Sequence, residues 1–174
     1  MSGIITIKNI ETLNDLIYSD VLKVLKKRQK VNSNVNYYFN PNLSVQLFNA
    51  KALIVNQKYI VLEFDKTTHL SLLLFLRAIS DKLINFLKSK DCDLFDVSIY
   101  NIMSELENTF TIRCHLPNNK GKYFIESSMS GQKQEFRVPR AKCVIDVATI
   151  EIRNVWGQDK KYGFNVELKS VNFL

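Results

Sequence analysis

The spacing of apolar residues changes from helical to strand-like within the first third of the chain. Residues 12–30 carry apolar side chains at helical spacing and end in a basic cluster, which predicts an amphipathic helix whose last turn complements the helix dipole. Residues 32–42 are turn-rich and aromatic. Residues 43–55 begin with strict alternation of apolar and polar side chains, and residues 58–65 are similarly rich in apolar residues, so we predict two strands here.

The middle of the chain predicts one long helix that covers a sheet. Thr67 or Thr68 can cap the start of this helix, which runs to about Lys90. Apolar side chains recur at every third or fourth position and form one stripe, made of Leu72, Leu76, Ile79, Leu83 and Phe86 or Leu87. We therefore expect the stripe to belong to the core.

The following segment contains a hairpin pattern. Residues 94–108 fit a strand or a helix equally well. Residues 109–116 alternate cleanly, with every apolar side chain on one face. A polar turn at 117–122 and a returning strand at 123–127 complete the predicted β-hairpin.

The last third of the chain predicts a second, longer hairpin. After a polar loop at 127–134, residues 143–156 form a long β-rich run. A turn at 157–161 leads into a closing strand at 162–174. Helices among so many strands predict an α+β fold whose β-rich core is a small barrel or a strongly curved sheet.

Alternation along this hairpin places its two large aromatic rings. Trp156 has the same odd-or-even position as the isoleucines Ile150 and Ile152, and Tyr162 has that of Phe164. Successive strand residues point to opposite faces. Unless a bulge intervenes, both rings therefore lean toward the core, at the ends of their strands.

Composition and charge narrow the class of protein. The chain has 174 residues, of which 46% are hydrophobic and 24% charged, so we predict a single globular domain over residues 1–174. The formal net charge of +7 favours a polyanionic partner. The most apolar segment is interrupted by Arg77, Asp81 and Lys82, and the N-terminus lacks a secretory pattern, so we predict an intracellular protein outside the membrane. The cysteines, predicted to be reduced, are Cys92, Cys114 and Cys143.

Motifs for enzyme chemistry are sparse. The chain contains no phosphate-binding loop, dinucleotide fingerprint, nucleophile elbow or zinc-protease motif, so we predict no cofactor, no metal site and no catalytic residues. The histidines His69 and His115 lack partners at ligand spacing. Glu126, Asp146 and Glu151 could be arranged on strands as in some nucleases, which leaves a metal-dependent nuclease as an alternative.

Basic and aromatic residues are interleaved in the turns. Binding of single strands without sequence preference needs cations along the phosphates and aromatic faces for the bases. The candidate nucleic-acid-binding residues are Tyr37, Tyr38, Lys120, Lys122, Tyr123, Lys133, Arg137, Arg140, Lys142, Arg153, Trp156, Lys160 and Lys161. We expect the lysines and arginines to contact phosphates and the aromatic residues to stack with bases. A structural or oligomerisation subunit that forms a homo-oligomer is a further alternative.

The C-terminal pattern resembles that of a known family. A β-rich run, Trp156, a short turn and the sequence YGFNVELKSV are similar to the terminal strands of single-stranded-DNA-binding proteins from large DNA viruses and phages. The resemblance implies an oligonucleotide-binding (OB) small barrel with added helices. It also implies a replication protein that coats single-stranded DNA, with RNA as an alternative ligand. The chain departs from the pattern by ending in SVNFL instead of a long acidic tail, so tail-mediated recruitment of partners is not expected.

Overall fold

Most of the described chain lies in β-strands. The structure, a computed structural model, describes residues 4–6, 24–31, 34–55, 58–89, 97–119, 122–126, 133–135 and 143–173. Within these ranges the helix is α1 (Leu70–Ser89). The strands in the same ranges are β1 (Ile4–Thr6), β2 (Val24–Val31), β3 (Asn34–Val55), β4 (Tyr59–Asp65), β5 (Ser98–Ile99), β6 (Met103–Glu105), β7 (Thr109–His115), β8 (Asn118–Asn119), β9 (Lys122–Glu126), β10 (Lys133–Glu135), β11 (Val144–Gln158) and β12 (Lys161–Phe173).

Five of the described strands form a partly closed ring. β3 pairs with β4, β4 with β7, β3 with β11 and β11 with β12, all antiparallel. The order across these strands is β11, β3, β4, β7. The later strand β11 thus lies beside β3, the first of the other three, which is the Greek-key order. β12 then returns to β7 in parallel through the pair Glu167 and His115, which closes the ring. The edge of β7 before His115 pairs with β6 instead, so β7 and β12 are paired over a short stretch.

The two longest strands of the ring bend together. Leu43, Val45 and Leu47 are buried on β3, but beyond Asn49, which has a φ of 51°, the buried positions shift to Ala50. Opposite this point β11 changes in the same way, from Ala148, which pairs with Leu47, to Ile145, which pairs with Ala50. A left-handed residue interrupts the extended backbone, and here it changes which side chains of β3 face the core.

Helix α1 packs on the sheet as the apolar stripe predicts. Leu76 and Leu87 are fully buried, and Leu72, Ile79 and Leu83 nearly so. These side chains belong to one hydrophobic cluster with the inward residues of the ring strands. In the described part of the chain, no helix is long and apolar enough to cross a membrane.

Asp65 caps the turn at 66–69 that leads into α1, and among the described residues no backbone N–H donates to the side chain of Thr67 or Thr68. One Asp65 carboxylate oxygen accepts hydrogen bonds from the backbone N–H of Thr68 at 2.8 Å and from its hydroxyl at 3.0 Å. The backbone N–H of His69 donates to the Asp65 carbonyl at 3.0 Å. The two bonds from Thr68 to the carboxylate lower the pKa of Asp65, and the bond from its backbone N–H satisfies a donor that the start of a helical turn leaves free.

The predicted helix at 12–30 is wrong over its last seven residues. Residues 24–30 belong to β2, which pairs antiparallel with the first half of β3. The long strand β3 presents backbone donors and acceptors along this edge, and pairing with β2 satisfies them. This pairing overrides a helical spacing that has little stability alone. Residues 12–23 lie outside the described ranges.

The other strand predictions are confirmed or corrected locally. The strands at 58–65, 109–116 and 143–156, and the closing strand, are confirmed within one or two residues. The strand at 43–55 is confirmed as the second part of β3, which begins nine residues earlier, at Asn34. The turn-rich interpretation of 32–42 is wrong for residues 34–42, which continue β3.

The two strands of the first predicted hairpin, now β7 and β9, do not pair with each other in the described part of the chain. β9 pairs with the short strand β8, whereas β7 pairs with β4 and β6. Residues 98–99 and 103–105 of the ambiguous segment are strands. Residues 133–134 of the predicted polar loop lie in β10, paired with β9. Short strands of this kind carry too little pattern to be recognised from spacing.

Candidate nucleic-acid interface

An open cleft lies where the ring is incompletely closed. It encloses about 490 Å³ between β7 and β12, on the N-terminal side of their single pair. One wall consists of Val61, Thr111, Arg113 and His115 from β4 and β7. The other consists of Trp156, Gly163, Phe164 and Val166 from β11 and β12, and residues 100–104 form the rim.

The rim belongs to a segment that spans from β12 to β7. We call residues 97–105 the bridging segment. The backbone N–H groups of Ser98 and Tyr100 donate to the carbonyls of Lys160 and Tyr162, at 3.0 and 2.7 Å. At its other end, β6 pairs with β7. The segment is thus fixed at both ends across the opening of the ring.

A charged anchor ties the bridging segment to α1. Glu105 accepts two hydrogen bonds from the Arg77 guanidinium, at 2.8 and 2.6 Å, and Lys66 lies 3.1 Å away. The hydrogen bonds from Arg77, together with Lys66, lower the pKa of Glu105 from 4.5 to about 2. The carboxylate is therefore charged at neutral pH and holds the C-terminal end of the segment in place.

Trp156 lies in the cleft, on the face opposite to the core. A register shift between Ile152 and Asn154 inserts Arg153, so that Val155, only 1% exposed, takes the core position. The prediction that Trp156 leans toward the core is therefore wrong. An extra residue in one strand moves every following side chain to the other face.

The indole of Trp156 lies over a glycine and beside a tyrosine. Trp156 is directly opposite Gly163 in the β11–β12 ladder. A Cβ at Gly163 would lie 2.6 Å from Cζ2 of the indole, which is closer than real Cβ atoms come. The ring centroid of Tyr100, which is 50% exposed, is 5.8 Å from that of Trp156. The two rings form an aromatic surface at the mouth of the cleft.

Tyr162 mirrors this arrangement on the core face. It lies opposite Gly157, where an added Cβ would be 2.6 Å from its ring. Tyr162 is half-buried against the core, which confirms its predicted orientation. The hairpin thus carries one aromatic ring over a strand glycine on each face, and only the ring of Trp156 reaches the cleft.

Arg113 supplies the permanent positive charge of the cleft wall. Its guanidinium carbon is 3.8 Å from the ring centroid of Tyr59, a cation–π stack that holds the long side chain in one position. His115 lies beyond it on the same exposed face of β7. The described residues that line the cleft include no carboxylate, so the charge of Arg113 favours an anionic or electron-rich ligand there.

The predicted lysines Lys160 and Lys161 lie close to the aromatic surface. Both are exposed in or beside the turn of the β11–β12 hairpin. Asp159 and Lys160 have φ values of 47° and 63°, as a two-residue type I′ turn requires. Lys161 is two residues from Gly163, which is about 7 Å along a strand.

Arg153, also a predicted contact, is engaged by carboxylates. Its Nη1 donates to Glu167 Oε2 at 2.6 Å, and its Nε is 3.5 Å from Glu151 Oε1. Lys169 lies within 3.5 Å of both glutamates. Two positive and two negative groups therefore neutralise one another. Arg153 is not part of the cleft lining.

The remaining predicted contacts lie elsewhere or outside the described part. Tyr37 is half-buried and packs edge-to-face on Phe86 of α1, with ring centroids 5.1 Å apart. Four residues are described in their backbone alone: Tyr38 in β3, Lys122 and Tyr123 in β9, and Lys133 in β10. Lys120, Arg137, Arg140 and Lys142 lie outside the described residues. The roles of these eight residues stay predictions.

The cleft includes residues that the sequence patterns did not single out as contacts. Arg113 could have been found from its outward position on an alternating strand, next to His115. Tyr100 lies in the segment that fitted strand and helix equally well, so no pattern pointed to it. Its proximity to Trp156 arises from hydrogen bonds between distant parts of the chain.

Acidic groups in the described part do not gather as a metal site would need. Among the described residues, no group of three or more His, Cys, Asp or Glu side chains is placed to hold a metal ion. Glu151, one of the three acidic candidates, is instead paired with Arg153 and Lys169.

A scan of the chain against protein-family models and a search of curated proteins gave no match.

Proposed function

We propose that the protein binds single-stranded DNA at the cleft, without catalysis and with little sequence preference along most of the strand. The observation that carries the proposal is the aromatic surface of Trp156 and Tyr100 beside the stacked Arg113, in a cleft whose described lining contains no carboxylate. Aromatic faces stack with unpaired bases and cations contact the phosphates, which is the combination that single-strand binding needs. Such a protein would coat and protect single strands during replication.

The strand order of the ring supports an OB-type barrel. That fold is a five-stranded, partly open Greek-key barrel, which binds oligonucleotides on the face of its second and third strands and at the loop between its fourth and fifth. In the ring described above, the second and third strands are β4 and β7, and the fourth–fifth connection is the turn at Asp159 and Lys160. The cleft is lined in part by β4 and β7, and it lies beside the turn at Asp159 and Lys160.

A titration tests the proposal directly. Trp156 is the only tryptophan, so its emission reports on the cleft. An oligo-dT strand of about 8 nucleotides, within the ~4–16 that one OB barrel covers, should quench this emission, and the affinity should fall steeply as salt rises. A duplex of the same length serves as control, and RNA of the same sequence tests the alternative ligand. No quenching and no shift in mass with any strand would contradict the proposal.

Two arginine variants test where the strand binds. Arg113→Ala should weaken binding and lower the slope of log affinity against log salt by about 1, because one phosphate contact is lost. Arg153→Ala, the matched control, should change the slope much less, since Glu151 and Glu167 already neutralise that charge. Equal losses in the two variants would place the strand away from the cleft.

The alternatives have outcomes of their own in the same samples. Cleavage of the strand on addition of Mg²⁺ or Mn²⁺ would favour the metal-dependent nuclease. A stable oligomer whose mass ignores DNA would favour the structural subunit.

A further inference from the structure

Polar side chains with free hydrogen-bonding capacity surround the aromatic surface of the cleft. Asn101, Ser104 and Thr111 line the cleft together with His115. In the described part of the chain, the side chains of these four residues make no hydrogen bond to another protein group. Their donors and acceptors are therefore available to a ligand.

The chemistry of these groups matches the edge of an unpaired base. The Asn101 amide carries both donors and an acceptor, and the hydroxyls of Ser104 and Thr111 can act either way. Unstacked bases in single strands are recognised by stacking on an aromatic side chain or an arginine while polar groups hydrogen-bond to their edges. Binding that ignores sequence needs only stacking and charge, so polar groups beside the stacking surface add a means of discrimination.

The size of the cleft limits how much of a strand it can hold. A volume of about 490 Å³ lies within the range of pockets for single small molecules. One base with its sugar fits such a space, whereas a run of stacked bases would extend over the outer surface. Neighbouring nucleotides would then contact Lys160 and Lys161 at the adjacent turn, where no base edge is held.

We propose that the cleft selects the base of one nucleotide in each bound strand, through hydrogen bonds from Asn101, Ser104 and Thr111 to the base edge beside Trp156 and Tyr100. The inference rests on the proposed binding of single strands. It adds a base preference at one position to binding that is otherwise independent of sequence.

Homopolymers and single-base strands test the selection. Anisotropy titrations at one salt concentration compare dT, dA and dC strands of about 8 nucleotides, the length used above. A strand of abasic sites with one central base then isolates a single position. Affinities for the best and worst base should differ by about 5- to 150-fold, the range that one good base contact provides.

Three variants separate base selection from general binding. Asn101→Ala and Thr111→Val should reduce the spread among bases to within about twofold while the salt slope is kept, because the phosphate contacts remain. Asn85→Ala, an exposed change on α1, is the matched control and should keep the full spread.

The failures of the two proposals are distinguishable. Affinities of wild type that agree within about twofold for all bases would overturn the selection and leave the proposed binding of single strands in place. A spread that both cleft variants keep would overturn it too. Binding to no strand at all would refute the proposed function, and the selection with it.

Discussion

A methyl group at Gly163 should displace the only tryptophan of the protein. Gly163→Ala places a Cβ at 2.6 Å from Cζ2, 2.7 Å from Cε2 and 2.9 Å from Nε1 of Trp156. All three atoms belong to the rigid indole, so no flexible end of the side chain can move aside. The whole ring must swing out of the cleft.

The expected cost follows from this overlap. Overpacking of this kind destabilises a protein by about 1–3 kcal/mol. For a domain of this size, that corresponds to a fall in melting temperature of about 2–12 °C. Because the φ of Gly163 lies outside the left-handed region, alanine itself fits the backbone. With the indole removed, Gly163→Ala should instead stabilise by about 0.4–1 kcal/mol, through reduced freedom of the unfolded chain.

Thermal unfolding and tryptophan emission measure both consequences. Gly163→Ala should lower the melting temperature and shift the emission of Trp156 to the red, whereas in a Trp156→Ala background it should raise the melting temperature. Gly157→Ala, which crowds Tyr162 at the same distance of 2.6 Å, is the matched control and should destabilise without the emission shift. A melting temperature and an emission in Gly163→Ala that match wild type would refute the placement of the indole over this glycine.

Three further variants or treatments probe other parts of the structure. Glu105→Gln should be less stable than wild type at pH 7 by about 1 kcal/mol or less, since the pair with Arg77 is partly exposed. The folded-state pKa of Glu105, about 2, lies below its ordinary 4.5, so this difference in stability should persist above pH 4.5 and vanish as the pH falls toward 2. Urea unfolding of both proteins at several pH values measures the difference. A difference that stays constant with pH would contradict the pairing of Glu105 with Arg77. Asp65→Ala should lower stability by removing the cap of the turn that leads into α1, whereas Asp81→Ala on the exposed middle of the helix should lower it less in the same urea assay. Burial raises the pKa of the Cys114 thiol, so native-state alkylation at pH 8 followed by peptide mapping should label Cys114 only after unfolding, and rapid native labelling would show that β7 is not packed as described.

Strand prediction from alternation succeeded where the strands are regular. Phe110, Ile112 and Cys114 on β7 are fully buried as the pattern predicts. The same argument failed for Trp156, because one inserted residue near Arg153 reverses the faces of β11 and leaves no trace in hydrophobicity. The prediction allowed for this outcome, since it held only in the absence of a bulge.

Helix prediction succeeded only where one face was clearly apolar. The stripe from Leu72 to Leu87 on α1 belongs to the hydrophobic core of the protein. The apolar spacing of 12–30 predicts a helix that includes residues 24–30, but their partner is the edge of β3, and no local pattern contains that information.

The candidate site was predictable only in part. Trp156, Lys160 and Lys161 were expected contacts, and the structure brings them to or beside the cleft. Arg113, Tyr100 and Asn101 join them because β7 and β12 meet across the ring and the bridging segment spans between them. Contacts between segments so far apart in sequence are a property of topology, which alternation and composition do not encode.

The pairing of β3 with β11 has a consequence for synthesis and folding. Val35 pairs with Gly157 and Lys51 with Val144, so this long ladder joins an early and a late part of the chain. Proteins dominated by such distant contacts fold slowly, over milliseconds to seconds. Until β11 leaves the ribosome, the edge of β3 that it will cover has no partner, and exposed strand edges invite association between chains. We therefore expect nascent or truncated chains that end before residue 143 to be prone to aggregation, and slower synthesis to lengthen that exposure.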